Sequence, residues 1–358
     1  MHWLADFLAA IGVVLNGIPQ GIMAMGLGFA VFPTTFSFGL AAIVNGFTGS
    51  VAPISFQAES LALTGHLGRN LRERSSIICF GAVIMLAIGL TGSLSKIVAI
   101  LGDQIMGGMM AGVGIMLAKL ALQMTKESRR CGWLSIALAV VTYLVTKDLV
   151  WTIALSVIGT SLYAVFVEHY QQALPDHVTA RKFQFIKPQF NLTVLRGALS
   201  LACLNIGANI SYGLITGQMT GLKPNPVNLN LLTSTQALAD FGTSLLGGAP
   251  VETIISATAS APEPVIAGII MMVIMAIILF MGWLPKIGRF VPSSSIAGFL
   301  FILGAVVIFP ENAATAMHGS ASMIAGITLV VTAIADPFSG LMTGAILKFI
   351  LPLIGLGV

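Results

Sequence analysis

The sequence predicts an all-α integral membrane protein, built as a seven-plus-seven inverted repeat of about 14 transmembrane segments with short strand and half-helix breaks in segments 3 and 10. Three observations predict this. Hydrophobic residues make up 56% of the 358 and charged residues only 8%, against about a quarter charged in soluble domains; such a chain cannot coat a water-facing surface. The chain also resembles itself: "GSLSKIVAILGDQIMGGMMAGVG" (92–114) matches "GWLPKIGRFVPSSSIAGFLFILG" (282–304). Finally, two short stretches, "SVAPISFQAES" (50–60) and "GGAPVETIISA" (247–257), repeat an Ala-Pro core and each carry an acid, Glu59 and Glu252.

The apolar segments are mostly of helix-spanning length. In the first half they fall at 11–34, 36–49, 51–64, 76–98, 104–124, 133–146 and 149–168; in the second at 194–216, 234–247, 249–260, 263–283, 292–309, 315–334 and 337–356. The organisation is a first repeat (1–168), a polar linker (169–190) and a second repeat (191–358). Gly92, Leu94, Lys96, Ile97, Gly108 and Gly114 align with Gly282, Leu284, Lys286, Ile287, Gly298 and Gly304, Asp148 with Asp336, and Pro53 with Pro250. Seven segments per repeat is odd, so the second half must be inserted upside down. Inverted repeats with Gly/Pro-interrupted segments at matching positions point to a secondary transporter with its site at the midplane.

Pro53 and Pro250 each open a short apolar segment, which suits the first turn of a helix after an extended approach. Two such half-helices would aim free N–H groups and positive dipole ends at one central site. A carboxylate at bilayer depth faces a cavity or a partner. Glu252 is expected in a first helical turn, favouring the dipole or facing substrate. Glu59 is expected deeper in its half-helix, binding substrate and carrying a proton, or pairing with Arg69 or Arg72. Glu59 and Glu252 are the expected proton-coupling residues. Ser55, Gln57, Thr253 and Ser256 flank them and complete the expected substrate site with Asn205 and Asn209, which share a helix face, and Gln20. The two amides could equally be interhelical hydrogen bonds. Asp336 and Asp148 read as helix caps, and Asp240, Asp103, Glu263 and Glu311 as helix-end or interface acids.

The residues exclude other classes. Cys79, Cys131 and Cys203 lack metal or redox spacing; no metal cluster, cofactor motif or nucleophile elbow occurs, so no enzyme is expected. The start, "MHWLADFLAAIGVV", lacks a basic n-region and does not read as a cleaved signal peptide. A net charge of +4 is too small and scattered for nucleic acid. An inner- or plasma-membrane, multi-pass protein is expected.

The stretches "LADFGTSLLGGAPVETIISATA" (238–259) and "GWLPKIGRFVPSSSIAGFLFILG" resemble the xanthine/uracil permeases, the nucleobase–ascorbate transporter family. The resemblance implies uptake of a nucleobase driven by a proton or sodium ion. It also implies a core domain (segments 1–4 and 8–11) moving against a gate domain (5–7 and 12–14), often in a homodimer. The family's tenth segment commonly has a glutamate six residues after the proline; Ser256 stands there, whereas Glu59 stands six after Pro53. The alternative is an anion transporter of the sulfate-permease type on the same architecture, against which two site acids count. Basic residues (Arg69, Arg72, Arg74, Lys126, Arg129, Arg130, Arg181, Lys182, Lys187, Lys286 and Arg289) collect in loops expected on one face. The positive-inside rule makes that face cytoplasmic and puts both termini outside; the family pattern puts them inside.

Overall fold

The computed structural model describes residues 2–147, 149–171, 176–179, 183–223 and 225–354. Asp148, Arg181 and Lys182 lie outside the described residues. The chain is mostly helical. The first half runs α1 (His2–Gly26), α2 (Val31–Thr48), strand β1 (Ile54–Ser55), α3 (Ala58–Leu67), α4 (Leu71–Thr91), α5 (Leu94–Leu101), α6 (Asp103–Met124), α7 (Arg129–Thr146) and α8 (Leu149–Val167). A short helix, α9 (Asp176–Thr179), lies in the linker. The second half runs α10 (Leu192–Met219), α11 (Leu229–Leu245), strand β2 (Glu252–Thr253), a 3₁₀ turn (Ala257–Ser260), α12 (Pro264–Phe280), α13 (Trp283–Gly288), α14 (Ala297–Phe301), α15 (Phe309–Met317), α16 (Ser322–Ile334) and α17 (Pro337–Ile350). A π-helical stretch, Ile302–Ile308, joins α14 to α15. Six helical stretches, including α1, α2, α4, α6 and α10, are long and apolar enough to cross a membrane. Large apolar side chains on their outer faces, such as Phe47, Leu90 and Leu122, are exposed. This is a multi-pass membrane protein.

Local chemistry sets the element ends. Asn70 caps α4 by accepting from the Glu73 N–H at 2.9 Å, and Asn191 caps α10 through the Val194 N–H at 2.8 Å. The predicted segment 76–98 is split, because Gly92 takes a left-handed conformation (φ 66°) that ends α4 and lets Leu94–Leu101 turn away as α5. The predicted half-helix at 249–260 is also corrected. Val251, Thr253, Ile254 and Ile255 are β-branched and favour extended backbone; the chain stays extended to Ser256, which caps the 3₁₀ turn. Glu252 therefore lies in a strand rather than a first helical turn. In the first half the helix starts at Ala58, five residues after Pro53, so Glu59 is in the first turn rather than deeper.

The bundle has two chemically different ends. At one, Arg74 reaches the Leu27 carbonyl and the Gly68 carbonyl (3.0 Å), Arg72 the Lys187 carbonyl (2.9 Å), and Phe32 packs on Phe183 and Phe280. These contacts gather the ends of α1, α3 and α12, the starts of α2 and α4, and the linker. At the other, Lys348 holds the Ile100 carbonyl at 2.7 Å and Glu263 N–H donates to Asp6 at 2.9 Å. Arg69, Lys126, Arg129, Arg130, Lys286 and Arg289 sit on or beside helix ends of the first kind, called the basic end below.

The self-similarity seen at a 190-residue offset is visible in the packing. A Cβ on Gly114 would lie 2.8 Å from the Gly304 carbonyl, and one on Gly304 2.5 Å from the Gly114 carbonyl; the two repeat-mates cross back to back. Gly108 abuts Ala325, while its mate Gly298 abuts Ser135, itself 190 residues before Ala325. The same contact is thus made twice. The π-helical stretch falls at the Gly114–Gly304 crossing, where a wider turn accommodates so close an approach.

Candidate functional site

The two broken segments meet in the middle of the bundle. β1 and β2 pair antiparallel, Ile54 opposite Thr253 and Ser55 opposite Glu252. Ser55 and Glu252 are themselves related by the 197-residue offset of Pro53 and Pro250. Irregular backbone at membrane depth needs polar partners, and named side chains supply them. Asn45 donates to the Ala52 carbonyl (2.9 Å), Thr216 to the Ile254 carbonyl (2.8 Å), and Asp240 accepts from the Val251 N–H (2.8 Å). Thr34 accepts from the Ala249 N–H at 2.9 Å. Asp240 is therefore a buried anchor of the second broken segment and not the helix-end acid its position suggests.

Glu59, in the first turn of α3, is 3% exposed, and Glu252 is fully buried. Tyr212 on α10 donates to Glu59 Oε1 at 2.9 Å. Among the described residues, Glu59 Oε2, Ser55 Oγ, Asn205 Oδ1 and Gln20 Oε1 are buried with no hydrogen-bond partner, and Glu252 has only the Ser60 side chain near it as a donor. Glu252 is in electrostatic reach of Glu59 and Asp240, and Tyr212 of Glu59, Glu252 and Glu311. Among the described residues, neither Glu59 nor Glu252 has an ion pair with a Lys or Arg. Glu59 pairs with neither Arg69 nor Arg72, since Arg72 is turned to the linker.

Most of the site residues expected from the sequence come together. Asn209 accepts from Thr253 Oγ1 at 2.7 Å and donates to Thr233 at 3.2 Å. Asn205, Asn209 and Tyr212 follow one face of α10, with Thr216 one turn beyond. Ser55 and Gln57 lie on the approach to α3. Gln20 on α1 makes only long contacts, 3.4 and 3.5 Å, to Asn16. Ser256 is engaged with Thr258 (2.6 Å) as a cap. Sequence reasoning did not single out Tyr212 as a partner of Glu59; its signal was the three-residue spacing from Asn209 on the polar face.

Two kinds of opening flank the centre. Toward the end opposite the basic one, a cleft of about 320 Å³ lies between α10 and the helices α6 and α15, with Tyr212, Asp103, Glu311 and Asn312 on its walls. At the basic end, a crevice of about 350 Å³ is lined by Leu27, His66, Gln123, Glu127 and Ser293. Burial pushes the Glu127 carboxyl above its ordinary range, with a hydrogen bond from Ser293 partly offsetting it. No group of three or more metal-ligating side chains occurs among the described residues.

No known protein family and no curated protein matches the chain in sequence. Solved structures match it over nearly its whole length. The transmembrane domain of a cyanobacterium bicarbonate transporter, BicA, superposes with a TM-score of 0.69 at 13% identity, covering 96% of this chain and 97% of that one. SLC26A9 gives 0.70 at 12%, covering 99% of this chain and 66% of the other. The murine Slc26a9 anion transporter, in its inward-facing state, gives 0.68 at 13%, covering 98% and 68%. The fold is thus that of membrane transporters built as a seven-plus-seven inverted repeat.

These neighbours correct the xanthine/uracil permease resemblance, the nucleobase as substrate and partner, and the nucleobase keywords: they are anion transporters. The physical reason lies in what the matching motif does. In "GGAP", the Gly247 carbonyl accepts from the Ala30 N–H at 2.8 Å and Gly248 bridges Ala30. The motif is the seam between the two halves, and it belongs to the architecture, not to a nucleobase.

Proposed function

We propose that the chain is a secondary transporter of a small anion, working by alternating access and carrying one or more protons with its substrate. The single observation that carries this reading is a pair of buried carboxyls that make no ion pair among the described residues, Glu59 in the first turn of the α3 half-helix and Glu252 in the strand that meets it. The α3 N-terminus offers backbone N–H groups and a positive dipole end to an anion. Two ionised carboxylates beside it would repel that anion, and an unpaired charge at this depth is costly. Protonation removes both obstacles, turning each carboxyl into an O–H donor. Anion and proton then favour each other's binding, which is the thermodynamic content of symport.

In this reading Glu59 and Glu252 carry the coupling protons, while Ser55, Thr253, Asn205, Asn209, Gln57 and Gln20 supply polar contacts, with Ser256 shaping the turn. Fourteen membrane segments are arranged as a core of α1–α4 and α10–α12 moving against a gate of α6–α8 and α14–α17. The likeness to BicA and Slc26a9 supports an anion, with bicarbonate, chloride and sulfate the first to try. The test is uptake of these labelled anions into proteoliposomes holding the purified protein, at two external pH values, beside labelled uracil and xanthine. Anion uptake stimulated by external acid is expected; uptake of a base and of no anion would overturn the reading.

A further inference from the structure

A groove of about 670 Å³ runs between α1 and α8 and is closed at the basic end by α13. Its wall is almost wholly apolar, with Leu15, Ile18, Val157, Leu162 and Phe290 representative. On α8 it extends from Ile153 to Phe166, about 20 Å at about 1.5 Å per residue. That exceeds half of the roughly 30 Å hydrocarbon thickness, the depth of one leaflet. The mouth is different. Lys286 lines it, and the Arg289 guanidinium lies 4.6 Å from the centre of the Phe290 ring. Neither cation has an ion pair among the described residues.

We propose that this groove binds one anionic diacyl phospholipid, its chain along α1 and α8 and its phosphate on Lys286 and Arg289. Charge complementarity selects the occupant. A concave apolar slot at membrane depth takes an acyl chain, and two unpaired cations at the interfacial end take a phosphate. The basic end is also the end that the positive-inside rule places at the anionic cytoplasmic leaflet. A lipid seated here touches α1 and α8 together, and so bridges the two bodies that must slide in the proposed transport cycle. The site itself does not depend on which substrate is carried.

The test is native mass spectrometry of the purified full chain with added phosphatidylglycerol or phosphatidylcholine, with glycerol phosphate as a chain-free competitor. The expected result is one retained phosphatidylglycerol, with phosphatidylcholine held more weakly and glycerol phosphate failing to displace it. Lys286→Gln with Arg289→Gln should cut the preference for phosphatidylglycerol about 25-fold, roughly fivefold for each basic residue. Ile158→Trp, which fills the groove from an exposed position, should weaken retention of both lipids in a monodisperse protein. Equal retention of the two lipids by the parent protein, displacement by glycerol phosphate, or full retention in the filled variant would each overturn the proposal.

Discussion

The Tyr212 hydroxyl donates to Glu59 Oε1 at 2.9 Å, across 153 residues of sequence and between α10 and the first turn of α3. Tyr212 also lines the cleft at the end opposite the basic one, with Asp103 and Glu311 on its walls. One side chain thus stands between an opening and the buried carboxyl, and in the proposed cycle its hydroxyl would relay the proton. Tyr212→Phe keeps the ring and removes the relay. We expect a stability loss of about 1 kcal/mol, typical of an intramembrane hydrogen bond, seen as a small drop in melting temperature. We also expect transport whose stimulation by acid is blunted while anion exchange persists.

Glu59→Gln and Glu252→Gln are near-isosteric and keep a polar group in place. Each is expected to preserve anion counterflow while abolishing its share of pH-driven accumulation. One pH unit supports about tenfold accumulation per coupled proton, since a tenfold ratio is about 1.4 kcal/mol. Comparing plateau uptake at a one-unit gradient in the parent and the two variants shows which carboxyl carries the proton.

Gly114 and Gly304 cross with no room for a side chain. Gly304→Ala forces a carbonyl and a methyl group into one space, and overpacking of this kind costs about 1–3 kcal/mol. The variant should melt earlier than the parent, whereas alanine at Gly12, where a Cβ meets nothing within 4 Å, should leave the melting temperature unchanged or slightly higher.

Much of this architecture was legible in the sequence, because membrane helices declare themselves by composition and a duplication declares itself by a fixed offset. The offset of 190 that joins Gly114 to Gly304 is the same one that joins two packing contacts in space. The second broken segment departs from its expected form. Pro250 reads as a helix start, but the β-branched run after it prefers a strand, and that preference wins. On substrate class the residues offer two readings, a nucleobase and, as the alternative, an anion, and give no ground for preferring the second. The residues that resembled a permease for bases build the seam at Ala30 and Gly248, a contact of backbone with backbone that specifies no substrate. The partnership of Tyr212 with Glu59 also escaped, because it depends on how α10 lies across α3, and no local pattern encodes that.

The basic residues define a second expectation. With Arg72 and Arg74 locking the same end of the bundle as Lys286 and Arg289, the positive-inside rule places that end in the cytoplasm. His2 at the start of α1 and the end of α17 lie at the opposite end. A C-terminal reporter active only outside the cell should therefore give signal, and one active only in the cytoplasm should not. A cytoplasmic C-terminus would mean that charge does not set the orientation here.

Arg196 and Asp336 tie α10 to α17 with two contacts of 2.5 Å, and Ser200 and the Ser339 N–H complete the carboxylate's shell at 2.8 Å. This joins the proposed core to the proposed gate at the basic end. Asp336→Asn leaves Arg196, which is half exposed, free to reach water, so a modest destabilisation is expected, on the order of 1 kcal/mol. A change in the balance between conformers is also expected, read by cysteine accessibility on either side of the membrane.

The most direct test of the central claim is to watch the proton. Proteoliposomes holding a pH-sensitive dye are given an inward gradient of the transported anion with no initial pH difference and with membrane potential clamped. Acidification of the interior that follows anion entry is expected, and it should be lost or reduced in Glu59→Gln and Glu252→Gln. Anion entry with no acidification in the parent protein would contradict that claim, leaving a transporter whose buried carboxyls do not carry protons.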